Sequence, residues 1–471
     1  SGEAQVSVLS DKESSMAMTQ RLPRLLLALL LALARSAQGL RRHAEQLKPL
    51  AFAKLLGSGR KQKPHERKGE DYQLYLKGFE SFILTNFTGC DLSANNSCGL
   101  AEMRRNDIHM VYPGGNTLCM DSKKPYGFMV VPRDQDKLLI NFEGGGACWD
   151  RLSVGVKACY ISQSRPRKLL GYMDHMVPDN PFKDHTVVYI TACSGDLHAG
   201  NVKHKYRLEQ RGYNNVRATV DWIQENFEKP FSSLVIGGES AGSIGVQVWA
   251  HNLLSELRYE KASVIADSYV SVFPTGFTGP VFKSLEVCHS GLLDFSADIL
   301  EKCDSGVLTV PDVFEAAIAD FPQVNFGSIS SKYDPVQMDY YDMTSLSMGR
   351  PSKIVAEQFR EKLQATLARY HKYPNHGHFL FSSKWHVFTC QIYHDLGRFS
   401  NASFTDGIDG TMRRRFEEWM AHLAAHDGGA GDFCESLDPK LMLAKDLGPN
   451  TDDCAEGLGS IALKVESPGG M

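Results

Sequence analysis

Apolar residues in the middle of the chain follow two rhythms. Runs at 127–131, 137–142, 186–190, 234–236, 264–266, 324–329 and 379–381 have the length and composition of strands. The first two are split by Pro132-Arg133-Asp134-Gln135-Asp136 and read as a hairpin leading into a central strand. Elsewhere the apolar positions recur at helical spacing: Val216, Val220, Ile223 and Phe227, stopped by Pro230, then Val355, Phe359, Leu363, Leu367 and Tyr370. Met412, Phe416, Trp419, Met420 and Leu423 mark a closing amphipathic helix. Helices alternating with apolar strands predict an α/β fold: a doubly wound, mostly parallel sheet with helices on both faces.

The flanks read differently. Arg21 and Arg24 precede a leucine- and alanine-rich block at 25–34 and then Ser36-Ala37-Gln38-Gly39, the pattern of a secretory signal cleaved near Gly39. That block is too short to span a bilayer, so no stable membrane span is expected, and the residues before Met16 or Met18 read as an upstream extension. The expected plan is extension and signal at 1–39, a flexible basic leader at 40–70, one α/β domain at 71–427 and a loose tail at 428–471. Within that domain, residues 72–119 read as an N-terminal cap or hairpin layer.

Composition narrows the class. With 471 residues, 42% of them hydrophobic, the chain can bury a large core. A net charge of -4 without a long basic run gives no nucleic-acid partner. The 11 cysteines of a chain routed for secretion predict several disulfides with one thiol left over. Sequons at Asn86, Asn95 and Asn401 fit glycosylation in the same compartment.

One stretch carries chemistry. The apolar run at 234–236 breaks into Gly237-Gly238-Glu239-Ser240-Ala241-Gly242 and resumes as a helix, which is a nucleophile elbow with Ser240 at its tip. Gly238 and Gly242 let strand and helix approach, and the Ala241 amide faces negative charge that forms beside Ser240. A serine needs a histidine base and a carboxylate to orient it. On an α/β-hydrolase-like sheet these follow the serine as acid and then histidine, each on a loop after a strand.

Asp334 follows the run at 324–329 and His386 the run at 379–381. Asp267, Asp339 and Asp342 are competing acids; His289, His371, His376, His378 and His394 are competing bases. His376-Gly377-His378 lacks a third ligand at metal-binding spacing, so no metal site is expected. The second half of an oxyanion hole is expected in Glu143-Gly144-Gly145-Gly146-Ala147-Cys148, whose glycines let backbone amides converge on an anion. No GKS or GKT follows to make it a phosphate loop.

Taken together, these residues resemble the pectin acetylesterase and Notum family of secreted serine carboxylesterases over about residues 112–390. The resemblance is carried by Leu139-Ile140-Asn141-Phe142-Glu143-Gly144-Gly145-Gly146-Ala147-Cys148-Trp149-Asp150 with Cys159 following, and by Cys193-Ser194-Gly195-Asp196-Leu197-His198. Gly212-Tyr213-Asn214-Asn215-Val216, the elbow and Ala266-Asp267-Ser268 add to it. It implies a triad of Ser240, Asp334 (through Tyr-Asp-Pro-Val-Gln) and His386 (through Lys-Trp-His). It further implies oxyanion donors at Gly145, Gly146 and Ala241 and a disulfide between Cys148 and Cys159. Asp267 then falls in a scaffold beside the site and ranks below Asp334 as the acid. Family members usually carry cysteine or serine before the nucleophile and a second glycine after Ala-Gly, where this chain has Glu239 and Ser243.

The expected function is that of a monomeric, extracellular or cell-wall serine carboxylesterase that needs no cofactor. The form Gly-Gly-Gly-Ala-Cys-Trp looks like the polysaccharide branch, which favours removal of O-acetyl groups from a polysaccharide such as pectin. Deacylation of a lipidated protein, peptide hydrolysis, and a catalytically silent binding protein on the same fold are the alternatives. The segment 273–310 is expected to cover the site and shows no specificity signature.

Overall fold

The computed structural model describes residues 83–121, 124–159, 161–205, 208–390, 410–425 and 431–434. The expected signal, basic leader, Asn401, His394 and residues 435–471 lie outside the described residues. In chain order the strands are β1 (Thr88–Asp91), β2 (His109–Tyr112), β3 (Phe128–Val131), β4 (Asp134–Phe142), β5 (His185–Ile190), β6 (Val202–Lys203), β7 (Glu209–Gln210), β8 (Ser233–Glu239), β9 (Ala262–Asp267), β10 (Asn325–Ser331), β11 (His376–Phe381) and β12 (Phe433–Cys434). All but the β6–β7 ribbon join one ten-stranded sheet, ordered β1-β2-β3-β5-β4-β8-β9-β10-β11-β12. Only the β2–β3 and β3–β5 pairings in it are antiparallel.

The helices are α1 (Arg151–Gly155), α2 (Gly212–Asn226), α3 (Ala241–Glu256), α4 (Thr278–Ser284), α5 (Ala297–Ser305), α6 (Val310–Asp320), α7 (Pro335–Ser347), α8 (Ala356–Ala368) and α9 (Gly410–Ala425). Strand alternation divides the core into two layers. Leu138, Ile140 and Phe142 of β4 face one hydrophobic cluster with Trp222 of α2, Trp249 of α3 and Phe314 of α6. Leu139 faces the other, with Tyr172, Phe182, and Phe416 and Trp419 of α9. Because both faces are covered, β5, β9, β10 and β11 are buried at every residue, polar positions such as Ser328 and His378 included.

Three expectations change. The runs at 127–131 and 137–142 do not form a hairpin, because β5 lies between β3 and β4. Arg133 lies in the connection and bonds to the start of β5: its amide donates to Thr186 Oγ1 at 2.9 Å, and its guanidinium donates to the carbonyls of His185 at 3.2 Å and Met173 at 2.9 Å. The connection therefore wraps around the start of β5 instead of folding back on itself. In the N-terminal layer, β1 and β2 extend the main sheet as a parallel pair. The tail also contributes, since β12 pairs with β11 and Phe433 stacks on Phe379 with ring centroids 4.3 Å apart.

Candidate active site

The strand-to-helix turn between β8 and α3 forces Ser240 to φ 56° and ψ -122°, a left-handed conformation that costs a residue with a Cβ about 1–3 kcal/mol. Gly238 and Gly242 are needed beside it. A Cβ on Gly242 would collide with the backbone of Phe142 and Glu143, and one on Gly238 with the Gly242 carbonyl and Phe142. The Ser240 amide donates to the Asp267 carbonyl at 2.9 Å. The serine is thus pinned at the carboxyl end of the sheet, where open α/β sheets place their sites.

Asp334 caps α7, accepting the amides of Val336 at 2.9 Å and Gln337 at 3.1 Å on Oδ1. Its Oδ2 accepts Gln337 Nε2 at 2.9 Å and lies 2.7 Å from His386 Nδ1. A carboxylate oxygen only accepts, so the Nδ1 proton points at Asp334 and Nε2 keeps its lone pair. That lone pair faces the Ser240 hydroxyl at 2.8 Å. Asp334 and His386 are both buried. The three residues therefore form one hydrogen-bonded chain.

The loop carrying His386 is held from β9. Asp267 Oδ2 accepts the amides of Phe388 and Thr389 and the Thr389 hydroxyl, each at 2.7 Å. Ser268 Oγ donates to Asp267 Oδ1 at 2.7 Å and accepts the Val387 amide at 2.9 Å. Asp267 is thus occupied as a scaffold and does not meet the His386 ring. Among the other rivals, Asp342 accepts the Ile354 amide at 2.7 Å. His371 and His378 each lie 2.8 Å from Asp432, His376 faces Ser328 at 3.0 Å, and the exposed His289 lies 3.3 Å from Asp304. Asp339 lies on α7, beyond the acid that caps it.

The glycine turn after β4 lies alongside the elbow. Gly146 has φ +70°, and its bridge to Cys159 runs beside the Cys148–Cys159 disulfide. Gly146 and Ala241 border the same cavity as Ser240. Gly145 does not border it; its Cα side faces Ala192 and Ile161. Beneath the turn Glu143 pairs with Arg167 and accepts the Ala192 amide at 2.8 Å, while the Glu143 carbonyl accepts His198 Nε2 at 2.9 Å. Burial pushes His198 down to about 4, which keeps that ring neutral. Asn86 and Asn95 are exposed.

A cavity opens to solvent beside Ser240. Its wall is a relay of aromatic rings: Tyr269 and Phe273 at 5.0 Å, Phe273 and Phe277 at 5.3 Å, and Phe277 and Trp149 at 5.1 Å between centroids. Ile244, Val281 and Leu285 complete the apolar lining. The Trp149 indole is fixed by donation to Ser347 Oγ at 3.1 Å. These residues lie on three separate segments, at Trp149, at Ile244 and over 269–285, which no local spacing in the sequence brings together. Four of them, Phe273, Phe277, Val281 and Leu285, fall in the segment 273–310 expected to cover the site.

Residues 104–273 match the family model described as pectinacetylesterase. The match includes Ser240 and the glycine turn and ends before Asp334 and His386. Comparison with curated proteins gave no match. Among solved structures, the chain is similar to two crystal forms of the Wnt deacylase Notum from Drosophila. Form II is 16% identical, over 59% of this chain and 85% of that one, with a TM-score of 0.46. Form I is 17% identical, over 68% and 94%, with a TM-score of 0.46.

Proposed function

We propose that this chain, whose residues 104–273 match the pectinacetylesterase family model, is an extracellular serine carboxylesterase acting through an acyl-enzyme on Ser240. The observation that carries this reading is the hydrogen-bonded chain Ser240–His386–Asp334 opening onto the apolar cavity.

Ser240 Oγ attacks the ester carbonyl carbon while His386 Nε2 takes its proton, and Asp334 steadies the resulting imidazolium. The negative charge that develops on the carbonyl oxygen is met by the backbone amides of Gly146 and Ala241, which border the cavity with Ser240. Collapse of this intermediate breaks the bond to the alkoxy oxygen, which leaves as an alcohol with the proton from His386. Water then attacks the acyl-serine by the same route in reverse, releasing a carboxylic acid and restoring Ser240. Four disulfides, Cys90–Cys98, Cys119–Cys193, Cys148–Cys159 and Cys288–Cys303, support an oxidising extracellular setting.

The acyl group follows from the cavity. The cavity is lined by Ile244, Val281, Leu285, Phe273 and Phe277, and each methylene buried against such a wall is worth about 0.8 kcal/mol. An aliphatic acyl chain is therefore the favoured substrate group, ahead of the acetyl ester that the glycine-turn motif suggests. Steady-state hydrolysis of para-nitrophenyl acetate, butyrate and octanoate tests the assignment, with Ser240→Ala as control. The reading predicts kcat/KM rising with chain length and lost in the variant. Acetate preference would instead support the polysaccharide deacetylase, and turnover unchanged by Ser240→Ala would exclude the triad.

A further inference from the structure

The acyl-transfer steps leave one ionisable side chain beside the nucleophile unused. Glu239 ends β8, is 1% exposed, and reaches across to β4. Its Oε1 accepts the Gly144 amide at 3.2 Å and its Oε2 meets Asn141 Nδ2 at 3.2 Å, while the Tyr172 hydroxyl closes on Asn141 Oδ1. Gly144 is the first residue of the glycine turn, and a Cβ on it would press against the Glu239 carbonyl and Ser240 Cβ. A single side chain thus ties the nucleophile elbow to the turn that faces the oxyanion.

The charged groups acting on Glu239 are the carboxylates of Glu143 and Asp267. The Tyr172 and Tyr189 hydroxyls and the Cys390 thiol each feel its charge as well. The nearby cation, Arg167, is paired with Glu143. A charged Glu239 would therefore add a third carboxylate to a dry cluster, directly behind the residue on which a tetrahedral oxyanion forms. Like charge in a low dielectric opposes that oxyanion.

We infer that Glu239 is a positioning residue for the acyl-transfer reaction proposed above: its side chain, in the uncharged form, fixes the glycine turn against the nucleophile elbow. Oε1 accepts the Gly144 amide in either form. The uncharged acid donates from Oε2 to the Asn141 amide once that amide is turned end for end, and the Tyr172 hydroxyl then accepts from its NH2 group. Burial acts in the same direction, raising Glu239 to about 8.

The test compares wild type, Glu239→Gln and Glu239→Ala on para-nitrophenyl octanoate from about pH 6 to about pH 9, with melting temperatures recorded alongside. Wild-type kcat should fall to half near pH 8. Glu239→Gln, which keeps an oxygen for Gly144 and cannot ionise, should hold kcat within about threefold at neutral pH and lose the alkaline fall. Glu239→Ala should lower kcat by about tenfold to a hundredfold with KM within about twofold. If the alanine variant does not fold, the alkaline limb of wild type against Glu239→Gln decides alone.

An alkaline fall retained in Glu239→Gln overturns the inference, as does a glutamine variant impaired in folding or turnover as badly as the alanine one. Turnover that needs Ser240 yet ignores Glu239→Ala overturns the role of Glu239 alone. Turnover that survives Ser240→Ala overturns the acyl-transfer reading, and the role of Glu239 with it.

Discussion

Asp267 holds Ser240 and the His386 loop at once: its carbonyl accepts the Ser240 amide at 2.9 Å, and its carboxylate accepts the amides of Phe388 and Thr389, each at 2.7 Å. The distance between nucleophile and base is therefore set by one residue on the strand between their loops. Asp267→Ala leaves four buried donors, the amides of Phe388 and Thr389 and the hydroxyls of Thr389 and Ser268, without that acceptor, which should cost about 3 kcal/mol or more in stability. Urea unfolding should show that loss, and kcat should fall below what the unfolded fraction explains. Unchanged stability would mean the loop is held elsewhere.

Asp334→Asn separates orientation from folding. Asparagine caps a helix as well as aspartate does, so α7 and the melting temperature should be preserved. The amide would face His386 Nδ1 with the wrong hydrogen-bonding sense, and kcat should fall on the order of a thousandfold or more with little change in KM. Steady-state kinetics beside a thermal melt checks both halves.

Gly146 is the position in the glycine turn least able to accept a side chain. At φ +70° a Cβ there would meet the Ala158 carbonyl and the Tyr340 hydroxyl, which bond to each other. Gly146→Ala should lower kcat by about a hundredfold through displacement of the turn. Gly155→Ala, where a Cβ meets nothing within 4 Å, should leave turnover unchanged. Equal effects of the two substitutions would remove the turn from the mechanism.

Val281, on α4, faces the acyl cavity. Val281→Trp should fill that space, lowering kcat/KM for para-nitrophenyl octanoate by about tenfold or more and leaving acetate within about threefold. A uniform loss for both esters would show that the cavity does not take the acyl chain.

Stability should depend on pH through Glu239. Its folded value of about 8 lies above its unfolded value, so the folded state keeps a proton that the unfolded chain loses. This contribution is complete below the unfolded value and declines as pH rises through about 8. Glu239→Gln should therefore gain relative to wild type by about 1.4 kcal/mol per pH unit within that window. Urea midpoints measured across the window check the sign; a difference that shrinks with rising pH would contradict it.

Much of this was legible in the sequence, for physical reasons. The elbow is local: glycine at 238 and 242 around Ser240 admits few backbones other than a tight strand-to-helix turn. The placement of Asp334 and His386 near Ser240 followed from strand order, because each comes after a strand that is buried on both faces. Long-range pairing was not legible. The insertion of β5 between β3 and β4 joins strands that are far apart in the chain, and no residue spacing encodes that. The aromatic wall was missed for the same reason: Trp149 and Phe277 are far apart in sequence and meet only in the fold.

The most direct test of the central claim is covalent. The protein is treated with a fluorophosphonate, which loses fluoride to an activated serine oxygen, and the modified peptide is mapped by mass spectrometry. The account predicts a single phosphonyl group on Ser240, formed in step with loss of esterase activity and absent from Ser240→Ala and His386→Ala. Esterase activity that persists with Ser240 unmodified, or labelling that persists without His386, would contradict it.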